Sequence, residues 1–260
     1  MPIFQTIESK DNKIIKQVTK LAKDKNERLL RKQAVVYGEH LIIESLHYNK
    51  LDSIFIIEES IEKYENILQN TQVKIFIIND VILNKINILD SFIDVIGVIN
   101  NHEENQINYN TDTLILENIQ DPGNLGTILR GANAAGIKQI VLSHKSVDIY
   151  NPKVLRASQG IQFGLDIFYD VDLNDFIQHY QGNLLALTPN GNKSIYECDL
   201  LKTTGFIMGN EGNGISHELL KLIKEHVQIP MVGNTESLNL AMAATIAIFE
   251  LSRQRIQAHG

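Results

Sequence analysis

Several things are scarce in this chain of 260 residues, and each scarcity removes a class of protein. A single cysteine, Cys198, leaves no internal disulfide and no cysteine-built zinc cluster, and it suits a reducing cytoplasm. No apolar run approaches the eighteen or so residues of a membrane span. The N-terminus lacks the apolar core of a secretory signal, so no targeting peptide is expected. Positive charge is not in excess either: the formal net charge is -7. Taken alone, that balance speaks against a nucleic-acid partner, because phosphate contacts supply most of such affinity.

The charge is unevenly spread. Residues 1–32 carry nine Lys or Arg against four Asp or Glu. Ile14, Val18, Leu21 and Ala22 recur there at helical spacing, with Lys13, Lys16 and Lys20 between them. A basic amphipathic helix is therefore predicted over about 10–32, its lysines facing either solvent or RNA phosphate. From Gln33 onward β-rich runs at 34–37, 53–57, 73–78 and 95–99 alternate with helical patterns at 41–48 and 59–68. This alternation predicts a small α/β/α domain over residues 1–100. The polar stretch 101–112, rich in Asn and Glu, reads as a linker.

A second α/β domain is predicted over 113–260. It opens with a strand at 113–117, a turn-dense Asn118-Ile119-Gln120-Asp121-Pro122-Gly123, a helix from about Asn124 to 135 closed by Gly136, and a strand at 140–142. A dinucleotide enzyme would place G-x-G-x-x-G at this turn and an acidic residue at the end of the next strand. Only Gly123 and Gly126 occur, and the strand ends in Ser143-His144, so that reading fails. A helical stretch near 150–162 puts Lys153 and Arg156 on one face, free to hold phosphate or water. A strand at 163–169, a helix at 174–180 and a strand at 184–187 follow, the last running into Leu187-Thr188.

The organising stretch is 205–251. Phe206-Ile207-Met208 is too short for a helix and reads as a buried parallel strand. Gly209, Gly212 and Gly214 crowd one turn around Glu211, which requires either positive φ or close approach of another group. Val227-Gln228-Ile229 is the next strand, stopped by Pro230. After a polar loop, Ser237 is placed to cap an alanine-rich final helix. Adjacent strand ends opening into glycine-bearing loops form a crevice of the kind in which open α/β sheets bind ligands. Each polar residue there also has an ordinary reading: Asn124 and Ser237 as helix caps, Glu211 as a cap near Ser216, Asn239 in a local hydrogen bond, Arg130 as a solvated cation.

Three ordered motifs resemble those of the SpoU family. They are Asn124-x-Gly126-x-x-x-Arg130-x-Ala132, then Gly209-x-Glu211-x-x-Gly214, then Ile229-Pro230-Met231-x-Gly233-x-x-x-Ser237-Leu238-Asn239. Members of that family are S-adenosylmethionine-dependent RNA 2'-O-ribose methyltransferases of the SPOUT superfamily. The resemblance implies a parallel sheet with a trefoil knot, against the general rule for folds, and dimerisation through the knotted domain. It implies a cofactor held largely by backbone groups at Leu187, Thr188, Gly209, Asn210, Glu211, Gly214, Ile229, Met231, Ser237 and Leu238. By the same resemblance, Arg130 lies beside the reacting hydroxyl, Asn124 orients it or the substrate, and Glu211, Ser237 and Asn239 complete the catalytic set. Residues 1–100 resemble, more loosely, the family's N-terminal substrate-binding domain through Gly38-Glu39-His40-Leu41 and Glu44, with Tyr37 standing where an acidic residue is common. Ribosomal RNA is the favoured substrate, with transfer RNA or a ribosome-associated binding role without turnover as alternatives. Lys153, Arg156, Lys13, Lys16 and Lys20 are the expected RNA contacts.

Overall fold

The computed structural model describes residues 3–89, 91–101 and 105–259. The chain forms two compact units, Met1–Glu104 with Asp148–Phe163, and Asn105–Val147 with Gly164–Gly260. No described helix is long and apolar enough to cross a membrane.

The first unit runs β1 (Ile3–Ile7), α1 (Lys13–Lys23), α2 (Lys25–Arg31), β2 (Gln33–Tyr37), α3 (Glu39–His47), β3 (Leu51–Ile57), α4 (Glu65–Gln69), β4 (Lys74–Ile78), α5 (Asp80–Ile86) and β5 (Val95–Asn100). Its sheet has the order β1-β4-β3-β5-β2, with β5 antiparallel to both neighbours and the other pairings parallel. The predicted single basic helix is in fact two. Asp24 adopts an extended conformation that ends α1, and its carboxylate accepts the Asn26 N–H at 2.8 Å to begin α2. Ile15, Val18, Leu21 and Ala22 of α1 pack with Ile82 and Ile86 of α5 over Val35, Tyr37, Phe55 and Phe76. The other sheet face belongs to α3: a Cβ added at Gly97 would meet Val36, Leu51 and Ile42. β1 and α5 escaped the sequence reading, and the helix expected over 59–68 is two short 3-10 turns leading into α4.

The second unit starts with β6 (Thr113–Leu116), α6 (Pro122–Ala134) and β7 (Gln139–Ser143). The chain then leaves it for α7 (Pro152–Ser158), which packs on β2 of the first unit, and returns as β8 (Asp166–Val171). It continues through α8 (Leu173–His179), β9 (Asn183–Leu187), β10 (Lys193–Ser194), β11 (Thr204–Met208), α9 (His217–Leu222), β12 (Glu225–Gln228) and α10 (Leu240–His259). Seven strands pair in the order β10-β12-β9-β11-β6-β7-β8, every pairing parallel. Such a sheet must be covered on both faces, which explains why its central strands are continuous apolar runs. Phe176 and Ile177 of α8, Leu219 of α9 and Ile223 just after it cover Ile115, Val141, Ala186 and Ile207. Alternation leaves Leu114, Leu116, Ile140 and Phe206 for the other face, where α6 and α10 pack together with Gly131 against Thr245 and Ile248.

Two stretches differ from the expected boundaries. Within the predicted linker, 105–112 is built into the second unit: the Gln139 side-chain amide bonds both the N–H and the C=O of Asn108, the Tyr109 ring packs at a tilt against Phe176, and Asp112 pairs with Arg255. Apolar Ile107 and Tyr109, spaced among the polar residues, reach that core. Segment 148–163, assigned from sequence to the second domain, belongs to the first unit. Its apolar side (Val154, Leu155) is fully buried, Phe163 packs edge-on against Tyr48, and Asp148 accepts from the Arg28 Nε at 2.6 Å. Arg28, 4% exposed, also donates to the Leu21 carbonyl at 2.6 Å. The buried cation is thus paired and hydrogen-bonded, as burial of a charge requires.

Candidate active site

Loops at the carboxyl edge of the second sheet converge through one chain of side chains. β6 runs into Asp121, whose extended backbone and carboxylate (accepting the Asn124 N–H at 2.7 Å) start α6, with Pro122 in the first turn. Pro fits there because its missing N–H would have had no helical partner. Asp121, not Asn124, is therefore the cap, and the Asn124 side chain is left for other use. Its Nδ2 donates to Glu211 Oε1 at 3.2 Å, and its Oδ1 accepts from Asn239 Nδ2 at 3.0 Å. Asn239 Oδ1 in turn accepts the N–H groups of Ala241 and Met242 at 2.9 and 3.3 Å. Asn239, rather than the predicted Ser237, caps α10. Residues 115 apart in sequence are joined by one amide pair.

Glu211 is the anchor of this chain. Beyond Asn124 it accepts the backbone N–H of Asp121 at 3.1 Å and of Gln120 at 3.3 Å. It caps α9 nowhere; Ser216 does that. Burial alone would raise its pKa. The hydrogen bonds from its own loop backbone, Asn124, Asp121 and Gln120 together outweigh burial and hold the carboxyl below the usual 4.5. A carboxylate so fully engaged is a clamp between two loops. A group with a depressed folded pKa stabilises the fold above its unfolded pKa and loses that contribution as pH falls through the folded value. Glu211→Gln is accordingly expected to cost about 1 kcal/mol at pH 7, a modest figure because the residue is exposed. The deficit should shrink as pH falls below about 4.5, where the unfolded carboxyl protonates, and vanish below the lower value at which the native carboxylate does so. Urea unfolding at pH 7 and below pH 4 checks it; a deficit independent of pH would remove the charge from the account.

The glycine turn holds Glu211 in place. Asn210 and Gly214 form an antiparallel bridge, N–H to O=C at 3.0 and 2.9 Å. A Cβ on Gly209 would lie 2.0 Å from the Gly214 carbonyl carbon, so two stretches of backbone meet there and only hydrogen fits. Asn210, expected to meet the cofactor, commits its side chain to the scaffold: Nδ2 donates to the Asn118 carbonyl at 2.9 Å, and Oδ1 accepts the Gly212 and Asn213 N–H groups. Gln120 and Asp121 are site residues that the sequence reading passed over. Asp-Pro at a strand-to-helix turn was the available signal.

The remaining candidates are distributed differently. Arg130 is exposed on the outer stripe of α6 with Gly123, Thr127 and Ala134, and among the described residues it has no hydrogen bond or ion pair, to Glu211 or otherwise. Ser237 is likewise exposed and unbonded. The ten residues 229–238, containing Ile229, Met231 and Leu238, make no hydrogen bond among the described residues. Their backbone donors and acceptors are open to a ligand. Leu187 ends β9, and the Thr188 N–H donates to the Val227 carbonyl at 2.9 Å. Lys13, Lys16 and Lys20 lie on α1 and Lys153 and Arg156 on α7, all exposed, all in the first unit. They do not share a face: α1 covers one side of that sheet, whereas Gly160, in the turn just after α7, packs against Leu41 and Glu44 of α3 on the other.

The profile of the SpoU rRNA methylase family matches residues 112–249, more than half the chain and all three motif-bearing loops. The chain belongs to the SpoU family. An uncharacterized tRNA/rRNA methyltransferase of Synechocystis is 41% identical over 55% of this chain and 53% of its own length, so the chain spans about half of that relative. The 23S rRNA (guanosine(2553)-2'-O)-methyltransferase RlmP of Bacillus subtilis is 29% identical over 95% of this chain and 99% of its own. An AdoMet-bound rRNA methyltransferase from Sinorhizobium meliloti superposes with a TM-score of 0.82 and 26% identity, over 96% of this chain and 98% of the other. The SpoU site as found here fits the family cofactor, S-adenosylmethionine, in three ways: a glycine turn without room for a side chain, apolar side chains in Met231 and Leu238, and a solvent-facing loop whose backbone groups make no bond among the described residues.

Proposed function

We propose that this chain transfers a methyl group to a ribose 2'-hydroxyl of ribosomal RNA. The observation that carries the reading is the Asn239–Asn124–Glu211 chain, which locks the three family loops into one cradle within the matched region. S-adenosylmethionine supplies a sulfonium-bound methyl that leaves without further activation. The protein's task is then to align the attacking oxygen and to ease the loss of its proton. Backbone groups of 229–238 and of Leu187 and Thr188 hold the cofactor, with Met231 and Leu238 against its apolar parts. The Arg130 guanidinium stabilises the developing alkoxide as the proton departs to water. Asn124, bonded to Glu211 and to Asn239, ties the first turn of α6 to the other two loops and so places Arg130, about 9 Å further along the helix axis at 1.5 Å per residue. Ser237, unbonded beside this cradle, is free to meet ribose or cofactor.

Three further features belong to the same reading. The exposed faces of α6 and α10, with Met242, Phe249 and Ile256 outward, are proposed to pair in a homodimer that covers Arg130. The trefoil knot is proposed because Gln254 and Arg255 of α10 tie beneath 198–202 through the Cys198, Leu200 and Lys202 carbonyls, after the chain has passed β12. The single buried cysteine suits a cytoplasmic setting. RlmP, aligned over nearly its whole length, favours ribosomal over transfer RNA. The test is incubation of the purified chain with labelled S-adenosylmethionine and either RNA, followed by mapping of alkali-resistant 2'-O-methyl linkages. Label in ribosomal RNA is expected; label on a base, or none, defeats the proposal.

Two basic surfaces are available for RNA, and they separate experimentally. Replacing Lys153 and Arg156 by Ala is expected to lower the salt slope of RNA binding by about 1–2 and to leave cofactor affinity unchanged. The same replacement at Lys13, Lys16 and Lys20 probes the opposite sheet face. Whichever set leaves the slope of log Kd against log salt untouched is solvent-facing only.

A further inference from the structure

The second unit holds a cavity of about 420 Å³ that the cradle above does not use. It lies at the carboxyl ends of β6, β7 and β8, lined by Glu117, Asn118, Ser143, Lys145, Asp170 and Glu218 among others. Three independent features mark it. Glu117 is 8% exposed; its Oε2 accepts the Ser216 N–H at 2.8 Å, and its Oε1 has no partner among the described residues although the residue lines the cavity. That oxygen is reached by solvent through the cavity, so a donor entering there can bond it in place of water.

Backbone strain points to the same place. Asn118, Lys145 and Asp170 have φ of 53°, 66° and 65°, and they are the second unit's described non-glycine residues with positive φ. All three line this cavity. The first unit's three, Lys32, Asn49 and Gln159, simply close α2, α3 and α7. Strain gathered at one cavity and not at helix ends is a mark of a ligand site. The cavity wall is also the site wall: the Asn118 carbonyl accepts from Asn210, and two residues on the Gln120 N–H holds Glu211.

We propose that this cavity is a nucleobase subsite that takes a guanine of the RNA substrate. The volume lies within the roughly 300–1,000 Å³ of small-molecule sites. A carboxylate asks for two adjacent donors, which among the four bases only the guanine Watson–Crick edge presents, as N1–H and the N2 amino group. Adenine and cytosine offer one amino donor beside an acceptor, and uracil one N–H between two carbonyls. Glu117, with its unused oxygen and a spare lone pair on the other, meets that edge; Lys145 at the rim is a donor for O6 or for phosphate.

The inference rests on the RNA-methyltransferase reading for the source of the base, and its test separates the two. Calorimetry of the purified full chain with GMP, IMP, AMP, CMP and UMP is expected to show GMP bound at least about tenfold more tightly than the rest, the contrast with IMP isolating the N2 amino group. Glu117→Gln keeps an acceptor for the Ser216 N–H but turns a donor toward the base, and should bring GMP to the IMP level with S-adenosylmethionine affinity retained. If that variant fails to fold, the GMP–IMP contrast on the native chain still decides. Equal binding of GMP and IMP, no binding of either, or a GMP preference surviving in Glu117→Gln overturns the subsite, and methyl transfer seen alongside would leave the activity standing. Conversely, GMP selectivity with no S-adenosylmethionine binding would retire the enzymatic reading and keep the guanine site.

Discussion

Arg130→Ala is expected to reduce methyl transfer by about a hundredfold to a thousandfold while S-adenosylmethionine affinity stays within about twofold. The magnitude follows from what loss of one charge-stabilising donor costs at a developing oxyanion, about 3–4 kcal/mol of barrier. The split between turnover and affinity follows from the geometry. Arg130 sits on the outer stripe of α6 and bonds to none of the residues that build the cradle. Removing its side chain therefore disturbs neither the Glu211 clamp nor the open loop 229–238, and folding stability should be nearly unchanged, as for other exposed side chains. Arg130→Lys sharpens the test: a retained positive charge without the planar fork should recover only part of the rate. Single-turnover methyl incorporation with calorimetry of the cofactor provides both readouts. Undiminished turnover in Arg130→Ala would take the residue out of the mechanism and leave Asn124 and Ser237 as the polar groups beside the ribose.

Much of this site was legible because motif positions and fold positions coincide. Phe206-Ile207-Met208 could only be a buried strand, and the glycines after it could only be a turn under steric pressure, so the crevice followed from strand ends alone. What the sequence did not disclose is which polar side chain serves which backbone. Asn124, Ser237 and Asn239 all stand near helix starts, and all have capping chemistry. Asp121 and Asn239 took the caps, which released Asn124 to bridge Glu211 and Asn239. That choice depends on contacts across 87 and 115 residues, which no local pattern encodes. The same limit explains 148–163. Its helical pattern was correctly placed, but the Arg28–Asp148 pair that fastens it to the first unit spans 120 residues. The stretch 105–112 differs from a linker for a simpler reason: its polar composition masks Ile107 and Tyr109, which pack on the second unit's core beside the Gln139 and Arg255 contacts.

Gly209→Ala is expected to destabilise the chain by roughly 3 kcal/mol or more and to weaken S-adenosylmethionine binding at least about a hundredfold. The cause is backbone against backbone. The added Cβ would stand 2.0 Å from the Gly214 carbonyl carbon, 2.1 Å from its oxygen and 2.2 Å from the Ile215 nitrogen, none of which can swing aside as a side-chain tip would. Relief requires opening the Asn210–Gly214 bridge, and Glu211 rides on that bridge. Once Glu211 moves, Gln120 and Asp121 lose their acceptor and Asn124 loses one of its two anchors. A single methyl group therefore reaches all three loops of the cradle. Gly212→Ala provides the control from the same turn, since a Cβ there meets only Asn210 Oδ1 at 3.5 Å and should cost little. Denaturant unfolding and cofactor calorimetry on the two variants make the comparison. Should Gly209→Ala match Gly212→Ala in both, the close approach of 209 to 214 is not what shapes the cradle, and the clamp role of Glu211 loses its foundation.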